Sequence, residues 1–111
     1  MHTVVETPTF LRQADKHGLT EREREALVSF VAGDPEAGDL IRRSGGCRKL
    51  RFAGKGKGKS GGFRVITFCS GESMPVFLLT VYAKGKLSTL NDAQVNMLNV
   101  FTRALVGEYR K

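Results

Sequence analysis

Cys47-Arg48-Lys49-Leu50-Arg51-Phe52, Ala53-Gly54-Lys55-Gly56-Lys57-Gly58-Lys59-Ser60-Gly61-Gly62 and Phe63-Arg64-Val65-Ile66-Thr67-Phe68-Cys69 follow one another without interruption. The first run alternates, placing Leu50 and Phe52 on one face of a strand and Lys49 and Arg51 on the other. The third is rich in β-branched and aromatic residues, which also predicts a strand. The glycine-rich middle can only connect them, so the stretch predicts two antiparallel neighbours in a sheet.

The elements predicted outward from this centre complete an α+β domain. Upstream, Val4 and Val5 suggest a short first strand. Thr7 and Pro8 make a helix start, running to about Lys16 with Gly18 as its stop. Thr20 and Glu23 form a capping-box pattern for a second helix, Glu21 to about Ala32, with Ala26, Leu27, Phe30 and Val31 assigned to its buried face. The two helices are expected to form a hairpin. Asp34-Pro35-Glu36-Ala37-Gly38-Asp39 is a turn, after which Leu40 and Ile41 are expected to tuck against the core. Downstream, Ser70 to Ser73 turn the chain into Pro75–Tyr82, apolar enough for a central strand. Thr89 or Asn91 then caps a last helix, Asp92 to about Tyr109. Val95, Leu98, Val100, Phe101, Leu105 and Val106 are assigned to its apolar face, and Met97 to the same core stripe. The predicted order is βααβββα, an antiparallel-dominated sheet with one face packed by the helical hairpin and the C-terminal helix.

The 111 residues suffice for one domain with a single core, spanning 1–111. The chain carries a net charge of +7, yet the nine basic and no acidic residues from Arg42 to Arg64 leave the remainder at −2. Charge this local indicates a polyanionic partner, nucleic acid first among them. No apolar run approaches the ~20 residues of a membrane-spanning helix, and the N-terminus lacks signal-peptide character. A cytoplasmic location with no membrane partner is therefore expected. Cys47 and Cys69 have neither CxxC spacing nor a histidine near in sequence, so free thiols are expected. His17 reads as a cation matched to a helix C-terminus. No paired carboxylates or metal-ligand spacing occur, and neither metal nor cofactor is expected.

Ala53 to Ser60 satisfies a relaxed phosphate-loop pattern, but that motif needs a helix to begin at the Lys-Ser. Here the chain leads into the β-branched run from Arg64. The loop reads instead either as a phosphate contact through Lys55, Lys57 and Lys59 or as a solvated hairpin. Across that hairpin, Lys49 and Arg51 share a face with Arg64, with Tyr82 and Lys84 arriving from the next strand. Such a set suits metal-free phosphoryl chemistry, in which an RNA 2′-hydroxyl attacks the adjacent phosphorus. In that scheme Arg64 is the charge clamp, Lys49 a proton carrier and Arg51 a phosphate ligand. An ordinary basic sheet face is the alternative.

Several of these segments together resemble the RelE-like toxins of bacterial type II toxin-antitoxin systems, in particular the HigB branch. The resemblance rests on the Asp34–Asp39 turn, Gly45-Gly46-Cys47-Arg48-Lys49-Leu50-Arg51-Phe52, the Gly-Lys segment ending Gly61-Gly62-Phe63-Arg64-Val65-Ile66, and Leu78-Leu79-Thr80-Val81-Tyr82-Ala83-Lys84. It covers most of the chain between Ala32 and Gln94. It implies a RelE/ParE fold, endonucleolytic cleavage of mRNA on the ribosome, and restraint by a cognate antitoxin protein. Lys49, Arg51 and Arg64 match the family's basic catalytic positions, and Lys84 a further cation after the fourth strand. Arg48, Lys55, Lys57, Lys59 and Lys86 are assigned to RNA or ribosome contact. Two departures stand out. The chain continues Lys84-Gly85-Lys86-Leu87-Ser88-Thr89 where HigB-like sequences carry an acidic run, and no Tyr or His follows Lys84 closely, which leaves Tyr82 as the acid-base substitute. A ParE-like inhibitor of DNA gyrase and a non-catalytic RNA-binding module are the competing readings.

Overall fold

The computed structural model describes residues 2–52, 62–71, 73–83 and 90–109. Its elements run β1 (Val4–Glu6), α1 (Pro8–Lys16), α2 (Glu21–Gly33), β2 (Asp39–Leu40), β3 (Cys47–Phe52), β4 (Phe63–Cys69), β5 (Val76–Ala83) and α3 (Asp92–Tyr109). The five strands form one mixed sheet in the order β1-β5-β4-β3-β2. Only β1 is parallel to its neighbour. This is the expected α+β architecture with an additional two-residue strand, β2, at the edge.

The helix ends follow the local chemistry. Thr7 caps α1, its hydroxyl oxygen accepting from the Phe10 N–H at 3.2 Å and its O–H donating to the Leu78 carbonyl at 2.9 Å, so the cap also fastens α1 to β5. Gly18 stops the helix with φ +80°, a conformation that penalises any residue with a Cβ. Thr20 and Glu23 close a reciprocal capping box at α2, an arrangement typically worth ~1 kcal/mol. Of the two residues expected to cap α3, Asn91 forms the cap, exchanging hydrogen bonds of 2.8 Å with Gln94 in both directions. Thr89 lies outside the described residues.

Helices cover both faces of the sheet, which corrects the one-faced packing expected from the sequence. The cause lies in β4 and β5, apolar on both sides and therefore stable only as a middle layer. Leu50, Phe63, Val65, Val76, Leu78 and Val81 face α1 and α2, packing with Phe10, Ala14, Leu27 and Val31. Cys47, Ile66, Phe68, Phe77, Leu79 and Tyr82 form the opposite layer, with Leu98, Leu105 and Val106 of α3. The ring of Tyr109 meets Phe77 edge-on with centroids 5.2 Å apart.

Several assignments of buried residues are corrected. On α2 the sheet-facing row is Leu27 and Val31, while Ala26 and Phe30 point outward. Met97, Val100 and Phe101 lie on the outer face of α3, with Met97 73% exposed. Leu40 is exposed on the edge strand, and Ile41 alone reaches the core. None of the helices among the described residues is long and apolar enough to cross a membrane.

Candidate functional site: a basic rung across three strands

Two local devices fix where β3 presents its cations. In the turn before it, Ser44 is fully buried, its hydroxyl donating to the Ile41 carbonyl at 2.6 Å and accepting from the Cys47 N–H at 2.9 Å. The Ser44 carbonyl accepts from Thr102 of α3 at 3.3 Å, and the Arg43 carbonyl from Asn99 at 3.1 Å. Gly45 sits at φ +86° with no room for a Cβ against the Thr102 hydroxyl. On the other side the Asp34–Asp39 turn presses against β3 at Gly38, where a Cβ would come within 2.7 Å of the Lys49 carbonyl. The start of β3 is thus clamped between α3 and this turn, and the rest of the strand follows in fixed register.

That register pairs Arg51 with Arg64, and Arg64 in turn with Tyr82, so the three residues form one rung across β3, β4 and β5. Lys49 pairs with Ile66 and Ile66 with Thr80, the next rung on the same face. A β-bulge is needed for this alignment. Thr67 pairs with Leu78 but Ile66 with Thr80, so Leu79 is an extra residue in β5. On one side of Leu79 the even-numbered Val76 and Leu78 face α1 and α2, whereas beyond it the odd-numbered Val81 does. Tyr82 consequently joins Arg64 on the α3 side.

The two ends of this face differ. Cys47, Phe68 and Phe77 are sealed, whereas at the basic end Arg51 is exposed and Lys49 and Arg64 are half-buried. Tyr82 is only 7% exposed. Its hydroxyl and the Nη1 of Arg64 are buried and have no hydrogen-bond partner among the described residues. Burial raises the pKa of the Tyr82 hydroxyl above its ordinary value, with the nearby Arg64 charge acting in the opposite direction. The phenol is thus neutral at physiological pH and is a hydrogen-bond donor. None of β3, β4 and β5 contains an Asp or Glu. Like charges directly opposite in a sheet destabilise it, by up to ~1 kcal/mol per pair. The Arg51–Arg64 pair therefore costs stability unless an anion comes between the two.

The structure brings together Lys49, Arg51, Arg64 and Tyr82 of the expected site. It separates Arg48, which alternation turns to the opposite face, where its guanidinium donates to the Gly38 carbonyl at 3.1 Å. Lys55, Lys57, Lys59, Lys84 and Lys86 lie outside the described residues, as does the phosphate-loop-like segment up to Ser60. The strand β4 that follows this segment begins at Phe63, as the β-branched run implied. Cys47 is fully buried, and burial pushes its thiol up to about 11 against the weaker opposing effect of its Ser44 hydrogen bond. Such a thiol is a packing group, not a nucleophile. Both cysteines are free. A concavity between β1 and the end of α3, lined by His2, Val5, Met74, Pro75 and Tyr109 among others, has no Lys or Arg among the described residues that line it. Among the described residues no three His, Cys, Asp or Glu side chains are grouped to hold a metal.

Sequence reasoning missed the burial of the Tyr82 hydroxyl, because alternation breaks at Leu79 inside an unbroken apolar run. The side of the sheet that Tyr82 faces could not be counted from Val76. Compared with models of known protein families, the chain matches none.

Proposed function

We propose that this protein is a RelE-like toxin that cleaves mRNA on the ribosome without a metal ion. The observation that carries the reading is the Arg51-Arg64-Tyr82 rung, with Lys49 beside it, on three adjacent strands, β3, β4 and β5, that contain no carboxylate. Two guanidiniums opposed on one rung, with Lys49 on the next rung opposite Asp39 of β2, suit a phosphodiester in flight between ground state and phosphorane. In the reaction the RNA 2′-oxygen bonds to phosphorus as its proton leaves. The bond from phosphorus to the 5′-oxygen then breaks, and that oxygen takes up a proton, giving a 2′,3′-cyclic phosphate and a 5′-hydroxyl end. Arg64 stabilises the charge on the equatorial oxygens, Arg51 holds the phosphate, and the Lys49 ammonium is the candidate to give the 5′-oxygen its proton, while the 2′-hydroxyl proton leaves to water. The resemblance assigns Lys84 to the same site and a cognate antitoxin to its restraint. The same reading puts the protein in the cytoplasm.

Mapping the 5′ ends of a translated mRNA in a ribosome-containing extract tests this. Breaks should fall at fixed codon positions and disappear when translation is blocked before initiation. Intact mRNA with the protein bound to ribosomes would favour a binding module, and intact mRNA with gyrase inhibited would favour the ParE-like reading.

Lys55, Lys57 and Lys59, which alternate with glycine in the sequence, are assigned to backbone grip rather than chemistry. Replacing all three by Gln should leave single-turnover cleavage of bound RNA intact. The slope of log affinity against log salt should flatten by about 2, or roughly 0.7 for each lost single-strand phosphate contact. Normal binding with no cleavage would reverse the assignment.

A further inference from the structure

The basic face holds more donors than its own residues can use. Arg64 and Tyr82 are cross-strand partners on one side of the sheet. Each presents a buried polar atom, Nη1 and Oη, that meets no partner among the described residues. Such atoms are uncommon in native structures, and each left unpaired costs ~1–3 kcal/mol. The two are close enough for the Arg64 charge to act on the phenol, yet no hydrogen bond joins them. Both can donate, and an oxygen with two lone pairs between them would satisfy both at once.

We propose that Arg64 and Tyr82 form a hole for one phosphate oxygen, in which the Tyr82 hydroxyl is a standing hydrogen-bond donor and not the acid or base of the reaction. The inference rests on the reading of this face as an RNA phosphate site, but the hole itself requires only an oxyanion. Three features favour an anion over a neutral ligand. Arg51 adds a second guanidinium to the rung, Lys49 an ammonium one rung away opposite Asp39 of β2, and no carboxylate on β3, β4 or β5 competes for the two arginines. Burial of Tyr82 on a strand packed on both faces holds the hydroxyl in place, so it need not be ordered when the ligand arrives.

The test uses the full chain labelled with nitrogen-15, titrated in one arm with inorganic phosphate and in the other with a short 2′-O-methylated oligoribonucleotide that cannot be cleaved. The Arg64 side-chain N–H resonance should shift saturably in both arms. Tyr82→Phe should weaken both affinities about tenfold, equivalent to one hydrogen bond of ~1.4 kcal/mol. In phosphate-free buffer the same variant should unfold at an equal or higher temperature, because it removes an unpaired buried hydroxyl. In single-turnover cleavage it should lower the rate equally at every pH, leaving the shape of the profile intact. Unchanged phosphate affinity in Tyr82→Phe, or loss of one limb of the pH profile, would overturn the proposal. So would an Arg64 resonance that phosphate does not move. A response to phosphate but not to the oligonucleotide would leave the hole standing and remove the RNA reading instead.

Discussion

Arg64→Ala is expected to lower RNA cleavage about a hundred- to a thousandfold, the usual loss when one preorganised donor to a developing oxyanion is removed, while leaving the protein folded. Phe63 and Val65, its neighbours along β4, are 2% and 0% exposed and anchor the strand from the opposite face, so the backbone at position 64 does not depend on the guanidinium. The side chain is half-buried, and its Nη1 satisfies no group among the described residues. Its removal also relieves the charge repulsion with Arg51 across the rung. Urea unfolding should therefore give a midpoint equal to or slightly above that of the parent protein, and cells expressing the variant should grow. A folded Arg64→Ala protein that still cuts mRNA at codon positions would move the chemistry away from this face.

Phe10→Ala should produce the opposite pattern, a large loss of stability with the chemistry preserved in whatever remains folded. Phe10 is fully buried on α1, against the sheet face opposite the basic rung, among Ala14, Leu27, Val65 and Val81. Truncating a buried phenylalanine costs ~3–5 kcal/mol in lost transfer energy and cavity formation, a large share of the ~5–15 kcal/mol that holds a typical domain together. Chemical denaturation measures the loss directly. Cleavage normalised to the folded fraction should stay within about twofold of the parent, because the packing defect lies on the far side of the sheet. A stability change below ~1 kcal/mol would mean that α1 is not the core element described here. A loss of specific activity in the folded fraction would show that the two faces are coupled.

Signals that depend on near neighbours along the chain are legible in the sequence itself. The Thr7-Pro8 start, the Gly18 stop, the Thr20-Glu23 capping box and the boundaries of β3 and β4 are of this kind, because caps and strand alternation are decided within a few residues. The shared face of Lys49, Arg51 and Arg64 was legible for the same reason. Alternation also placed Arg48 opposite Lys49, so its separation from the site was open to the same reading. What could not be read depends on tertiary choice. Helix α3 carries apolar residues around most of its circumference, and periodicity alone cannot decide that Leu98 and Leu105 meet the sheet while Met97 and Val100 do not. The pairing of Asp39 and Leu40 with Lys49 and Arg48 depends on a turn pressed against β3, not on strand propensity. The buried hydroxyl of Tyr82 depends on a bulge within a run of uniformly apolar residues.

That bulge gives β5 a tolerance of length that its composition conceals. Substituting one aliphatic residue for another between Phe77 and Val81 alters packing locally. Deleting Leu79 would restore strict alternation and leave the residues on both sides of the cut on the faces they now occupy, because the bulge already absorbs a one-residue step in the pairing with β4. Tyr82 would then stand five residues after Val76, still on the face opposite it. In evolutionary terms, β5 carries one residue in reserve, whose loss would shorten the strand without turning the basic face inward.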